Sequence, residues 1–437
     1  MKICVVGLWH LGLVAAACTS SRYQTTALDF DEPLVENIKR GKLPIFEPGL
    51  SELLFEGIGR GSLHVTSNAS EALSSADIVW VTYDTPVNEA DEADFEFVRN
   101  RIRDLFPFLQ PGALLLISSQ VPVGFCSQVE AEMTKATRGQ NTAVVYSPEN
   151  LRLGTALKAF LEADRVVIGS RNRADGTRVE ELFAPFAASS IHMSVESAEM
   201  TKHALNAFLA TSVSFMNEIA ALCEPTGADA IDVARGLRSD RRIGPSAYLD
   251  PGPGFAGGTL GRDVQALAGL ARRNGLPSPL LSSISASNEY SRRWPERTLL
   301  GLLDPARATI AILGLTYKPG TDTLRRSHAM ELASALQKRG AKIRAYDPAV
   351  KAFPVGVGAE ITLGATIEDA LGGADAVVIA TPWPDFKNLE SETFLQTMRK
   401  AIVLDPHRAL GENVRRDPRV QYRTVGLPPK GQGGRIR

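Results

Sequence analysis

Ile3-Cys4-Val5-Val6-Gly7-Leu8-Trp9-His10-Leu11-Gly12-Leu13-Val14-Ala15-Ala16-Ala17-Cys18 follows Met1-Lys2 at the start of the chain. A short apolar run rich in β-branched residues reaches Gly7, and from Gly12 small apolar residues continue as a helix does. A second such run, Thr25–Leu28, ends at Asp29, 22 residues after Gly7. Strand, glycine turn, helix, strand and acid form the layout of a dinucleotide-binding unit. The glycines allow a tight turn, the helix N-terminus faces a pyrophosphate, and the carboxylate accepts from ribose hydroxyls. Gly7, Trp9, His10, Leu11, Gly12 and Asp29 are therefore candidate cofactor contacts. Asp29, where a basic residue would take a 2′-phosphate, favours NAD over NADP, although Arg22 and Lys39 lie nearby in sequence. Trp9 departs from the pattern. The usual second glycine gives the phosphates room at the backbone, so the indole must swing outward or the cofactor must shift.

Outward from this unit, short apolar runs alternate with helical patterns. Strands are expected at Ile3–Val6, Thr25–Leu28, Ile78–Thr82, Leu114–Ser118, Ala143–Tyr146 and Arg165–Ile168. Such alternation predicts a parallel sheet with helices on both faces. A long helical pattern runs from about Ser197 to Cys223 and is expected to break at Pro225. After Asp304-Pro305 the alternation restarts at Thr309–Leu313, Lys342–Tyr346, Ala376–Ala380 and Ile402–Leu404. The expected fold class is α/β, with two Rossmann-like parallel-sheet domains joined by a helical domain. The expected boundaries are 1–195, 196–303 and 304–425, with a Gly-rich, basic and disordered tail at 426–437.

Composition bounds the partners. The 437 residues carry a formal net charge of −1, which does not suggest a nucleic-acid partner. Cys4, Cys18, Cys126 and Cys223 are scattered and form no CxxC pair, so neither a disulfide framework nor a metal site is expected. Lys2 and the apolar run to Cys18 also outline a short export signal, but strand, turn and helix account for the same residues. The expected location is the cytoplasm. No other apolar run is long and uninterrupted enough to be expected to span a membrane.

Gly252-Pro253-Gly254-Phe255-Ala256-Gly257-Gly258-Thr259-Leu260-Gly261-Arg262-Asp263 is the second informative stretch. Taken alone it is either a flexible turn before a helix or a backbone wrapped around a ligand. Lys202 and Asn206 stand four apart, hence on one helix face. Alone they read as a solvated lysine and an asparagine in a helix contact. Asp263 alone reads as a first-turn helix acid.

These stretches, taken with others in order, resemble the UDP-glucose/GDP-mannose dehydrogenase family. The matching segments include Asp29-Phe30-Asp31-Glu32, Ile45-Phe46-Glu47-Pro48-Gly49-Leu50, Asp84-Thr85-Pro86-Val87, Val121-Pro122-Val123-Gly124 and Ser147-Pro148-Glu149. They continue through Ala198-Glu199-Met200-Thr201-Lys202, Phe215-Met216-Asn217-Glu218, Asp240-Arg241-Arg242-Ile243-Gly244 and the glycine stretch. Gly314-Leu315-Thr316-Tyr317-Lys318, Thr321-Asp322-Thr323-Leu324-Arg325 and Tyr346-Asp347-Pro348 complete the series, which extends to about Arg408.

The resemblance implies an enzyme that oxidises the 6-hydroxymethyl of a nucleotide sugar with NAD, in the family as far as the carboxylate with two NAD, and a UDP-linked substrate is expected. It implies that Lys202 and Asn206 hold an oxyanion or water, that Glu149 is a general base, and that Asp263 orients water or the lysine. It adds Thr85, Pro86, Gln120 and Arg325 to the cofactor contacts. For the substrate it implies Glu149, Leu151, Lys202, Asn206, Arg242, Gly254, Gly257 and Lys318; Tyr248 and Phe255 flank the glycine stretch and are read either as stacking on a uracil or sugar or as core packing. It also implies a homodimer through the long helix, with Arg242 reaching the partner's site. Thr259 departs from the family, which has a cysteine there. A threonine hydroxyl has no accessible anion near neutral pH and a crowded β-carbon, so the covalent step is expected to be lost. Gln120 commonly matches a threonine and Leu153 an acid, while Ala256 and Arg326 are milder changes. The rival readings are a redox-neutral NAD enzyme and a nucleotide-sugar-binding protein without turnover.

Overall fold

The computed structural model describes residues 1–87, 93–137, 142–149, 151–354, 356–358 and 360–429. They form two compact units, Met1–Ala204 and Leu205–Arg437. The helical segment after residue 204 and the C-terminal α/β segment fall in the same unit.

The first unit is built on eight strands: β1 (Lys2–Val6), β2 (Gln24–Leu28), β3 (Leu63–Thr66), β4 (Ile78–Val81), β5 (Leu114–Ile117), β6 (Ala143–Tyr146), β7 (Val166–Gly169) and β8 (Ser190–Met193). Their order is β3-β2-β1-β4-β5-β6-β7-β8. Every pairing is parallel except β6 with β7, which meet antiparallel at Tyr146 and Gly169. β4 and β5 are buried throughout because helices cover both faces, hence their unbroken Ile-Val-Trp-Val and Leu-Leu-Leu-Ile sequences. β3 and β8 were not foreseen. They alternate polar with apolar residues over four positions, too short a pattern to stand out. The order reverses between β1 and β4, and a crevice for a ligand opens beyond the carboxyl ends of strands at such a point.

In the second unit, β9 (Thr309–Leu313), β10 (Lys342–Tyr346), β11 (Ile361–Leu363), β12 (Ala376–Ile379), β13 (Ile402–Leu404) and β14 (Gln421–Arg423) run in the order β11-β10-β9-β12-β13-β14, all parallel. This repeats the order of the first six strands. Helices Arg262–Arg273, Pro279–Arg292 and Trp294–Leu302 precede the sheet.

The long helix runs Val195–Thr226, longer than expected at both ends. Pro225 lies inside its last turn, so the predicted break falls one residue past the proline. By length and mean hydropathy this helix is apolar enough to cross a membrane, although polar residues interrupt its apolar run in sequence. Its inner residues pack on protein instead: Val195 and Ala198 in a core of the first unit, and Met216, Ala220 and Cys223 in a core of the second. The expected disordered tail also needs correction at its start. Gly426 donates to Glu224 Oε1 (3.0 Å) and its carbonyl accepts from Ala230 N–H (2.9 Å). Residues 430–437 of that tail lie outside the described residues.

Candidate active site

The turn after β1 shows why its glycines are there. Gly7 has φ +98° and a side chain on it would meet the Tyr83 ring at 2.7 Å. A Cβ on Gly12 would lie 1.8 Å from the Gly7 carbonyl oxygen. The helix His10–Thr19 is thereby pressed onto the strand ends, its N-terminus at the β1–β4 reversal. Thr82 Oγ1 donates to the Val6 and Gly7 carbonyls, both at 2.9 Å, and fixes the turn from β4. Trp9 occupies the N-cap with φ −98° and its side chain turns out of the core, 45% exposed. His10 Nε2 meets Glu47 Oε2 at 3.2 Å, and Leu11 is buried.

Asp29 is buried at the end of β2. Its Oδ2 accepts from Leu8 N–H (2.7 Å) and its Oδ1 from Asp31 N–H (3.0 Å). A carboxylate offers about four lone-pair sites, so two remain for the vicinal hydroxyls of a ribose. The turn, the helix N-terminus and this acid fit NAD, and the outward indole leaves the turn's backbone uncovered by a side chain of the core.

Loops after β4, β5 and β6 are tied to one another. Thr85 Oγ1 donates to the Gln120 carbonyl at 2.6 Å, while Pro86 is exposed and Gln120 half-buried. Glu149 Oε2 accepts from Leu151 N–H at 2.5 Å. Lys202 is 8% exposed, and its ammonium donates to the Glu149 carbonyl. A buried cation beside a loop that carries a carboxylate supplies both a positive charge for a developing oxyanion and a proton acceptor.

Two buried acids, to which no local sequence pattern assigns a role, brace these loops. Glu47 accepts from Gly154 N–H (2.7 Å) and Ala156 N–H (2.8 Å), anchoring the segment after Glu149. Glu199 accepts from Gly124 N–H (2.6 Å) and Cys126 N–H (2.8 Å), at the start of helix Phe125–Ala136. Burial raises the Glu199 carboxyl above its ordinary range, against these hydrogen bonds. Cys126 is buried, and burial followed by the adjoining Glu199 pushes its thiol well above the ordinary value. That thiol is poorly suited to nucleophilic work. Only the segments holding these acids were conspicuous in sequence, because their partners are backbone groups distant along the chain.

In the second unit the glycine stretch ends in a π-helical turn, Gly257–Gly261, that runs directly into Arg262–Arg273. Single π turns are uncommon and gather at functional sites. Thr259 is exposed at the middle of this turn. Asp263, one turn on, is fully buried and accepts from the Asn206 amide. Phe255 packs with Ala207, Ala210, Val264 and Ile284, so its expected place against a ligand is at least partly taken by the core. Gly254 is buried, Tyr248 is 47% exposed, and Gly257 is the first residue of the π turn. Arg242 is exposed, and its guanidinium forks onto Asp240, with Nη2 to Oδ2 at 2.7 Å.

Beyond β9, Gly314 (φ +86°) makes the counterpart of the Gly7 turn. Asp347 then stands where Asp29 stands in the first sheet, but its Oδ2 accepts from Leu315 N–H (2.6 Å), Thr316 N–H (3.1 Å) and the Trp383 indole (3.1 Å). Its hydrogen-bonding capacity is largely consumed by the protein. Lys318 is half-buried on the following loop and Arg325 is exposed. Among the described residues no group of three or more His, Cys, Asp or Glu could hold a metal ion.

Comparison with known proteins gives one consistent result. Residues 1–187 match the NAD binding domain of the UDP-glucose/GDP-mannose dehydrogenase family, 196–290 its central domain and 311–412 its UDP binding domain. The chain is 33% identical to UDP-glucose 6-dehydrogenase TuaD of Bacillus subtilis, over 98% of this chain and 93% of that protein. It is 34% identical to a UDP-glucose 6-dehydrogenase of Pseudomonas aeruginosa, over 99% and 98% of the two chains. A UDP-glucose dehydrogenase from Pyrobaculum islandicum superposes with a TM-score of 0.84 at 28% identity, covering 98% of both chains.

Proposed function

Since the chain belongs to the UDP-glucose/GDP-mannose dehydrogenase family of NAD-dependent oxidoreductases, we propose that it oxidises C6 of a UDP-linked hexose, with UDP-glucose the first candidate. The observation that carries this reading is Lys202, a buried ammonium held at the carbonyl of Glu149. NAD supplies the hydride acceptor. Glu149 takes the hydroxyl proton, directly or through water, while Lys202 stabilises the negative charge on the C6 oxygen as it becomes an aldehyde. Gly7, Gly12, the N-terminus of His10–Thr19 and Asp29 hold the cofactor, with Thr85, Pro86, Gln120 and Arg325 as further contacts. Asn206 and Asp263 act as one hydrogen-bonded pair that orders water or the sugar oxygen. Leu151, Tyr248, Gly254, Phe255, Gly257 and Lys318 complete the substrate contacts.

Thr259 takes the place of the family's cysteine in this reading. Without a thiolate, the second oxidation cannot pass through a thiohemiacetal. It proceeds only by transfer of hydride from the hydrated aldehyde to a second NAD, with a proton released to a base or water, leaving the carboxylic acid. The first oxidation is therefore the faster of the two. Thr259 and Leu153, in place of the cysteine and acid of the resemblance, motivate a second reading, in which hydride is returned to a rearranged sugar and no NADH accumulates.

We further propose functional domains at 1–195, 196–303 and 304–425, a cytoplasmic location and a homodimer. The four cysteines, all buried and unpaired, support a reducing compartment. Arg242, turned outward with its charge on Asp240, supports a contact with the partner's site. Absorbance at 340 nm with NAD and a panel of UDP-, GDP- and dTDP-sugars, followed by product mass, tests the reaction. Net NADH with a UDP-sugar supports it, a changed sugar without NADH selects the redox-neutral reading, and binding without either leaves a non-catalytic binding protein.

A further inference from the structure

The π turn that carries Thr259 hangs between two fixed points, and both trace to helix Pro279–Arg292. At one end, Asn288, 6% exposed, accepts from Phe255 N–H through Oδ1 and donates to the Phe255 carbonyl through Nδ2, each at 2.8 Å. The amide thus satisfies both backbone groups of a single loop residue, as a neighbouring strand would. At the other end, the Phe255 ring approaches Gly261, where an added Cβ would sit 3.7 Å from Cε2. The Phe255 backbone is clamped, and its ring braces the last residue of the turn.

The loop is pressed closely against this clamp. A side chain on Gly254 would stand 2.5 Å from Asn288 Oδ1 and 2.7 Å from Arg292 Cγ, so only glycine admits the approach. Arg292, one turn after Asn288, is itself held: its Nε donates to His328 Nε2 (3.0 Å), and its guanidinium pairs with Glu331. Gly252 N–H is secured separately by Asn217 Oδ1 (3.0 Å). The clamp is therefore built from buried, hydrogen-bonded groups on a rigid helix rather than from loop residues alone.

We infer that Asn288 is a positioning residue: it sets the conformation of Gly257–Gly261 through Phe255 and thereby fixes where Thr259 stands and where Asp263 begins the next helix. The inference rests on the reading of this loop as part of the reaction site, but its test does not require turnover. All four native cysteines are buried, so Thr259→Cys introduces a single accessible thiol as a reporter in the full-length protein. Thr259 is exposed, so alkylation by iodoacetamide, followed by intact mass, reports the surroundings the turn gives that thiol: its thiolate character and the approach of the reagent. Adding Asn288→Ala is expected to change the alkylation rate of that one thiol by about fivefold or more, as the turn's backbone N–H groups leave their fixed positions around it. Asn288→Asp, which keeps the acceptor for Phe255 N–H and loses the donor, is expected to fall between the two.

Rates within about twofold in all three proteins would overturn the inference. If Asn288→Ala labels at all five thiols, it has lost the fold, and Asn288→Asp alone decides by the same criterion. With an active UDP-sugar, Asn288→Ala is expected to lower kcat while leaving the KM for NAD unchanged. A KM for NAD that moves with kcat would mark a general structural part and count against positioning. If no sugar reacts with the parent protein, the functional reading fails while the alkylation series still judges the clamp.

Discussion

Lys202 and Thr259 differ in burial, and that difference orders their expected contributions. Lys202 is enclosed, with its ammonium on a carbonyl, where a charge acts at low dielectric. Lys202→Ala is expected to cost roughly 10²–10³ in kcat, the scale of losing one oxyanion donor. Thr259 is exposed and has no activated nucleophile, so Thr259→Ala is expected to cost less than about tenfold. Intact mass during turnover checks the pair, because a sugar-sized adduct abolished by Thr259→Ala would make Thr259 a covalent catalyst. Asp29→Ala is expected to weaken NAD about tenfold or more, since it removes the ribose acceptor and also frees Leu8 N–H. Calorimetric titration with NAD measures this, and unchanged affinity would remove Asp29 from the cofactor site. At this scale the sequence made the candidates visible but not their supports. Asn288, Glu47 and Glu199 act on backbone groups of distant segments, and no local pattern marks such a partnership.

Among the elements, the long helix leaves an apolar stripe in water. Phe208, Phe215 and Leu222, seven residues apart in turn, are 71%, 48% and 62% exposed. A seven-residue repeat is the spacing with which one helix follows another, and a second copy of this chain is the occupant that the proposed dimer supplies. Phe215→Glu is expected to convert a dimer into monomers at micromolar concentration by light scattering, without loss of helix content. A wild-type monomer would contradict the proposal. Strands β9, β10 and β13 lie at the residues expected from sequence: β9 and β13 are compact apolar runs, and β10 alternates buried Ile343 and Ala345 with polar residues. The π turn was not legible. Its extra residue per turn depends on Phe255 and the helix behind it, while the local Gly-Gly-Thr-Leu-Gly sequence suits many conformations.

For the whole molecule, His328 in the second unit makes stability depend on pH in the acid range. Burial, and then the Arg292 guanidinium, pull His328 down from 6.5 to about 4. Between those values the unfolded chain binds a proton that the native protein does not, so stability falls as pH drops from 6.5 towards 4. His328 also begins helix His328–Gln337, where a positive charge is unfavourable. Urea midpoints between pH 6.5 and 4.5 are expected to fall more steeply in the wild type than in His328→Gln. Parallel slopes would mean that native His328 titrates normally. Sequence by itself determined the two α/β units, the cofactor turn and the candidate chemistry, because glycine conformation, strand burial and charged residues leave marks within a few positions. Tertiary structure decided which acid is open to a ribose and which is consumed: Asp29 and Asp347 end equivalent strands, yet Trp383 and Thr316 occupy the second. It also decided the π turn and its asparagine clamp, since a hydrogen bond between residues 33 apart exists only once the fold has brought them together.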